Sequence, residues 1–85
     1  MRRSPLKARV YVMLKKSVFD PQGRTIQDAL STLGYRNVSD VRQGKYFELS
    51  LEGLPPAEAR EAAEEIARRV LANPVIESYR VEVEP

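Results

Sequence analysis

Hydrophobic and polar positions alternate from Lys7 to Lys16. Ala8, Val10, Val12 and Leu14 fall on one side, and Lys7, Arg9, Tyr11, Met13 and Lys15 on the other. A period of two with β-branched residues predicts a half-buried strand. Tyr11 and Met13 make the second side partly apolar, as a side covered by another subunit would be. Beyond Asp20-Pro21-Gln22-Gly23 the period changes: Ile26, Ala29, Leu30 and Leu33 share one helical stripe. Asp20 is a good N-cap, Pro21 suits the first helical position, and Gly34 suits a left-handed C-terminal cap. These signals predict a helix over Pro21 to Leu33, with a type I turn at Asp20-Pro21-Gln22-Gly23 as the alternative start.

A second extended region runs from Val38 to Leu51. Phe47, Leu49 and Leu51 alternate with Tyr46, Glu48 and Ser50, but Gln43 and Lys45 spoil the phase upstream and Gly44 sits between them. Either one long strand bends or bulges at Gly44, or Gln43-Gly44 is the turn of a hairpin. The bent strand is preferred, because the flanks lack an Asn-Gly or Asp-Gly pair. Gly53-Leu54-Pro55-Pro56 breaks the strand. Ala57 to Ala72 then reads as a helix with an Ala59, Ala62, Ala63, Ile66, Val70 stripe and with Glu64–Arg68 and Glu65–Arg69 four apart. Asn73 caps it and Pro74 forbids its continuation. Val75 to Glu84 is the last strand, with Tyr79, Val81 and Val83 on one side.

The order strand, helix, strand, helix, strand predicts an α+β fold: a β-α-β-α-β two-layer sandwich, its sheet mainly antiparallel with two helices on one face. It becomes ferredoxin-like, βαββαβ, if the middle strand is a hairpin. A chain of 85 residues fits one domain, 1–85, with 1–6 as a flexible tail.

Composition narrows the chemistry. The chain has no cysteine and no histidine, which excludes thiol nucleophiles, imidazole bases and His or Cys metal sites. Net charge is only +2, but it is unevenly placed: Met1 to Lys16 holds six cations and no acid, and Glu52 to Glu65 is mainly acidic. Such polarity suits docking to a partner, or is simply a solvated surface. A core this small with no disulfide favours self-association. No long apolar run or secretory signal is present, so a cytoplasmic location without membrane insertion is expected.

The glycines are too scattered for a phosphate loop. The acids of the second helix alternate with arginines and read as a solvated face, and the serines lack a base. Arg42-Gln43-Gly44-Lys45 is the most suggestive polar string. Two cations flank a glycine that lets backbone approach a carboxylate or phosphate partner, with an exposed strand bulge as the plainer reading.

Taken in order, several strings resemble the PurS family, the small subunit of phosphoribosylformylglycinamidine (FGAM) synthase. They are Val12-Met13-Leu14-Lys15, Asp20-Pro21-Gln22-Gly23 with Ile26, Ala29-Leu30, Leu33-Gly34, Val41-Arg42-Gln43-Gly44-Lys45 and Leu71-Ala72-Asn73-Pro74-Val75-Ile76-Glu77-Ser78-Tyr79. The resemblance spans Lys7 to Val83. It implies a non-catalytic bridging subunit of an ATP- and glutamine-dependent synthase of purine biosynthesis, which joins a glutaminase (PurQ-type) to a synthetase (PurL-type) and supports ammonia transfer between them. It further implies a homodimer or higher homo-oligomer. No cofactor is expected on this chain, since ATP and magnesium belong to the synthetase component. Carried over to this sequence, Arg42, Gly44, Lys45, Asn73 and Pro74 become the candidate partner contacts. Two other functions compete: a ferredoxin-like small-molecule regulatory domain, and an RNA- or DNA-binding sheet using Tyr11 and the basic first strand. The single aromatic on that strand's polar side and the small net charge weigh against nucleic acid.

Overall fold

A computed structural model describes residues 6–84. Three strands, β1 (Leu6–Leu14), β2 (Gly44–Leu51) and β3 (Glu77–Glu84), form one antiparallel sheet in the order β2-β1-β3. The alternation along β1 has the expected effect: Ala8, Val10 and Val12 are fully buried. The registers bring Phe47 and Val81 beside Val10, and Leu49 and Val83 beside Ala8, so one face of the sheet is continuously apolar.

Helix α2 (Pro56–Ile66) packs on that face over β1 and β3. Ala59 and Ala63 have no exposed surface, as the alanine stripe predicts, and small side chains let the helix approach the sheet closely. The last turn differs from the predicted α-helix. Ala67–Leu71 is π-helical, and the Ala72 amide donates to the Ala67 carbonyl at 2.8 Å. This wider turn returns the chain to the sheet after five residues, so Ala67 and Ala72 are both buried. Asn73 and Pro74 then stop the helix.

Helix α1 (Pro21–Thr32) forms where its caps predict. The Gly23 amide donates to Asp20 Oδ1 at 2.9 Å. Gly34, at φ 97°, closes the other end in a Schellman motif, with Gly34 N–H to Ser31 O at 3.1 Å and Tyr35 N–H to Leu30 O at 2.9 Å. Its position differs from the expectation of two helices on one face. α1 takes no comparable part in the packing of the sheet and α2. Ile26 and Leu33 are exposed, and the molecule is elongated, 56 × 27 × 14 Å.

The α+β class and the β-α-β-α-β order stand. The middle element is neither a long bent strand nor a hairpin. It begins at Gly44, and Val38–Gln43 is irregular, because the Gln43 amide bonds to Asp20 instead of to a neighbouring strand. β3 likewise starts at Glu77 rather than Val75, since Asn73 holds the intervening residues in a turn. The expectation for the N-terminal tail lies, for residues 1–5, outside the described residues.

Candidate functional site

The candidate strings meet at one end of the sheet, where β1 leaves for α1 and β2 begins. Asp20 is the hub. It is 5% exposed, and besides capping α1 it accepts the Gln43 amide on Oδ2 at 2.8 Å. These backbone donors, Gln43 foremost and then Gly23, hold its pKa below the ordinary aspartate value, with the Arg42 charge adding to the effect. Gln43 Nε2 donates to Gln22 Oε1 at 2.8 Å and ties the same two segments again. Gly23 is required here, since a Cβ would meet Val41 O and lie 2.7 Å from Asp20 Oδ2.

Arg42 Nη2 donates to Lys15 O at 3.0 Å and Val18 O at 3.1 Å, with Leu14 O at 3.5 Å. Its guanidinium therefore satisfies carbonyls of the chain leaving β1, and the fork the sequence offered to a partner is engaged internally. Gly44 pairs with Met13 across the β1–β2 ladder, and a Cβ there would strike the Met13 side chain and Val12 O. Lys45 is exposed, and its Nζ lies 3.6 Å from Glu77 Oε2.

Glu77 joins this cluster to the second candidate pair. Its side chain is only 12% exposed, and Oε1 accepts the Asn73 amide at 2.7 Å. The Asn73 carbonyl accepts from Ile76 at 3.1 Å and Glu77 at 2.7 Å, and Asn73 Oδ1 accepts the Val75 amide at 3.1 Å. Pro74 is exposed in the same turn. The structure thus brings Arg42, Gly44, Lys45 and Asn73 into one bonded region around a hollow of about 180 Å³ lined by Val12, Leu14, Asp20, Gln22, Gln43, Gly44, Lys45 and Glu77. Sequence reasoning missed Gln22 and Glu77. Glu77's signal was its placement four residues after a helix-stopping asparagine, where a carboxylate can reach back to that residue's free amide.

The sheet face opposite α2 is polar. Arg9 makes a two-pronged pair with Glu84, the Nη2–Oε2 contact at 2.7 Å. Lys7 lies 3.9 Å from Glu48. Arg80 stacks 4.3 Å from the Tyr11 ring centre and bonds Glu82 at 2.7 Å, while Tyr11 and Tyr46 sit 5.1 Å apart. Hydrogen bonding to Glu82 raises the Tyr11 pKa, and burial followed by bonding to Glu48 raises that of Tyr46. The cations of β1 are matched by acids across the strands, so the face is not the basic platform a nucleic acid would need. Among the described residues no group of three potential metal ligands occurs, and no helix is long and apolar enough to cross a membrane.

Sheet, single covering helix and braced end define a small α+β protein of β-α-β-α-β order whose polar groups mostly hold backbone in place. Residues 7–85 match the family profile described as PurS: phosphoribosylformylglycinamidine (FGAM) synthase. The chain belongs to that family and is an FGAM synthase subunit. It is 49% identical over 78 residues to the PurS subunit of Bacillus subtilis, covering 92% of both chains. It is 45% identical over 78 residues to that of Methanocaldococcus jannaschii, covering 92% of this chain and 94% of the relative. The solved M. jannaschii PurS superposes with a TM-score of 0.84, 43% identity and coverage of 93% and 95%. A chain of the structure described as PurLQS from Thermotoga maritima superposes with a TM-score of 0.82, 31% identity and coverage of 94% and 99%.

Proposed function

We propose that this chain is the bridging subunit of its synthase: it holds a glutaminase and an ATP-dependent synthetase in one assembly and contributes no reactive group of its own. The single observation that supports the reading most is the use made of the polar cluster. Asp20 and Arg42, the buried carboxylate and the half-buried guanidinium at the sheet end, are occupied by backbone amides and carbonyls of this chain. Such a cluster fixes shape. The likeness to a chain of the PurLQS structure points the same way.

The chemistry falls to the neighbours. The glutaminase component releases ammonia, and the synthetase uses it with ATP and magnesium to turn formylglycinamide ribonucleotide into the amidine. Ammonia that escapes to water is diluted and protonated, so fixing the two active sites relative to one another raises the effective concentration of the intermediate. Lys45, exposed beside the hollow, and Asn73 and Pro74, exposed in the turn that Glu77 braces, touch the partners, while Arg42 and Gly44 set the shape of that end of the sheet. The chain works in the cytoplasm and associates with copies of itself, since Phe19, Leu33, Tyr35, Val70 and Val75 leave apolar surface uncovered.

Size-exclusion chromatography of the three components mixed with glutamine and ATP tests the proposal. One complex containing all three is expected, and glutaminase and synthetase alone elute apart. Stable pairing of those two without this chain contradicts the bridging role.

A further inference from the structure

The sheet carries a polar trough at the end where β1 leaves for α1. Lys45 stands opposite Val12 in the register and Glu77 opposite Leu14, and cross-strand partners share a face. β2 and β3 flank β1 on its two sides, yet Lys45 Nζ and Glu77 Oε2 are 3.6 Å apart. The two side chains therefore reach toward each other over β1, above Val12 and Leu14. Gln22, in the first turn of α1, and Gln43, just before β2, complete the lining of the hollow of about 180 Å³. Pockets for drug-sized ligands hold about 300–1,000 Å³, and 180 Å³ is the liquid share of about six waters. The room suits a solute the size of a free amino acid.

The groups left unspent in the walls select the solute. Glu77 Oε1 is used by the Asn73 amide, while Oε2 has only Lys45, at a distance too long for a hydrogen bond. Among the described residues no fully buried side-chain polar atom lacks a partner. Oε2 is therefore open to the hollow, although the Glu77 side chain is only 12% exposed. Lys45 likewise keeps its ammonium donors. Gln43 Nε2 donates to Gln22 Oε1, which leaves Gln22 Nε2 as a donor and Gln43 Oε1 as an acceptor. Asp20 is spent on backbone amides. A lone anion in the hollow would meet Lys45 but also Glu77, and a lone cation would meet Glu77 but also Lys45. A solute bearing both charges satisfies both walls. A donor beside an acceptor is, in turn, the complement of a primary carboxamide.

We propose that the hollow is a binding site for a free α-amino acid with a carboxamide side chain. The ammonium goes to Glu77 Oε2, the carboxylate to Lys45, and the carboxamide to Gln22 Nε2 and Gln43 Oε1. The site goes beyond the bridging reading and does not depend on it; only the choice of glutamine over asparagine rests on that reading, glutamine being the nitrogen donor of the assembly. Held there, the amino acid ties β2, β3 and the first turn of α1 together beneath surface that the partners touch. Free glutamine then sets how firmly that surface is held.

Titration of the ¹⁵N-labelled full chain with L-glutamine, followed by amide chemical shifts, tests the site. Saturable shifts confined to Gln22, Gln43 to Lys45 and Asn73 to Glu77 are expected, with a Kd of about 1 mM or below. L-glutamate, and the analogue of glutamine without its α-ammonium, should each bind at least about tenfold more weakly. Lys45→Ala and Gln22→Leu, both at exposed positions, should each weaken glutamine binding by about tenfold with an unchanged circular dichroism spectrum. No saturable shift up to about 20 mM glutamine or asparagine overturns the site, as does binding that neither substitution weakens or that glutamate matches. Tighter binding of asparagine overturns the choice of glutamine. The titration uses this chain alone, so a failure here leaves co-elution of the three components, and with it the bridging reading, to its own test.

Discussion

Asp20 carries the strongest local consequence of any residue in the chain. Its carboxylate caps α1 and accepts Gln43, and its pKa is lowered on folding. The stabilisation is therefore complete above the unfolded aspartate value, about 3.9, and disappears as pH falls below it through the folded value. Asp20→Asn sets an amide nitrogen or a weaker oxygen against the two backbone donors. It is expected to lower the melting temperature at neutral pH, and the gap to wild type should narrow in acid, as thermal melts between neutral pH and pH about 3 would show. A constant gap across that range would mean that the charge is not what matters. The glycines differ by position. Gly34→Ala forces a side chain to positive φ in open space and should cost about 1 kcal/mol. Gly44→Ala drives a Cβ into Met13 and the β1 backbone and should cost about 1–3 kcal/mol. Denaturant titration separates the two. Lys45→Ala removes only a half-screened pair with Glu77, so stability should change by less than about 1 kcal/mol. Assembly with the partner components should nonetheless weaken by about tenfold, measured by titration calorimetry.

At the level of elements, legibility followed periodicity. β1 was readable because its apolar residues alternate without a fault, and α1 because both of its caps are written in Asp20, Pro21 and Gly34. β2 was not, since Val38 and Val41 imitate a strand that the chain cannot form while Arg42 and Gln43 are bonded to the β1–α1 connection. The π-helical end of α2 leaves no periodic signature, because the alanines that share the sheet face, Ala67 and Ala72, are five apart. The site was legible only in its first half. A resemblance named Arg42, Gly44, Lys45, Asn73 and Pro74, but a string of residues does not say whether a guanidinium meets a partner or its own carbonyls. Truncating Val10, fully buried in the central strand, to alanine should cost about 2–3 kcal/mol; equilibrium unfolding in urea measures it.

For the whole molecule, the apolar stripe on α1 predicted a helix packed on the sheet, whereas Ile26 and Leu33 are exposed. That is why the two-layer expectation was right about the elements and wrong about the place of one of them. The resulting shape, a sheet with one covering helix, a projecting arm and a braced polar rim, suits a part that neighbours build upon. Its function is then read in their activity. The most direct measurement compares glutamine-dependent with ammonia-dependent synthesis of the amidine by the glutaminase and synthetase, with and without this chain. A bridging subunit predicts that ammonia-dependent turnover survives without the chain and that glutamine-dependent turnover appears only on its addition. Full glutamine-dependent turnover in its absence would contradict it.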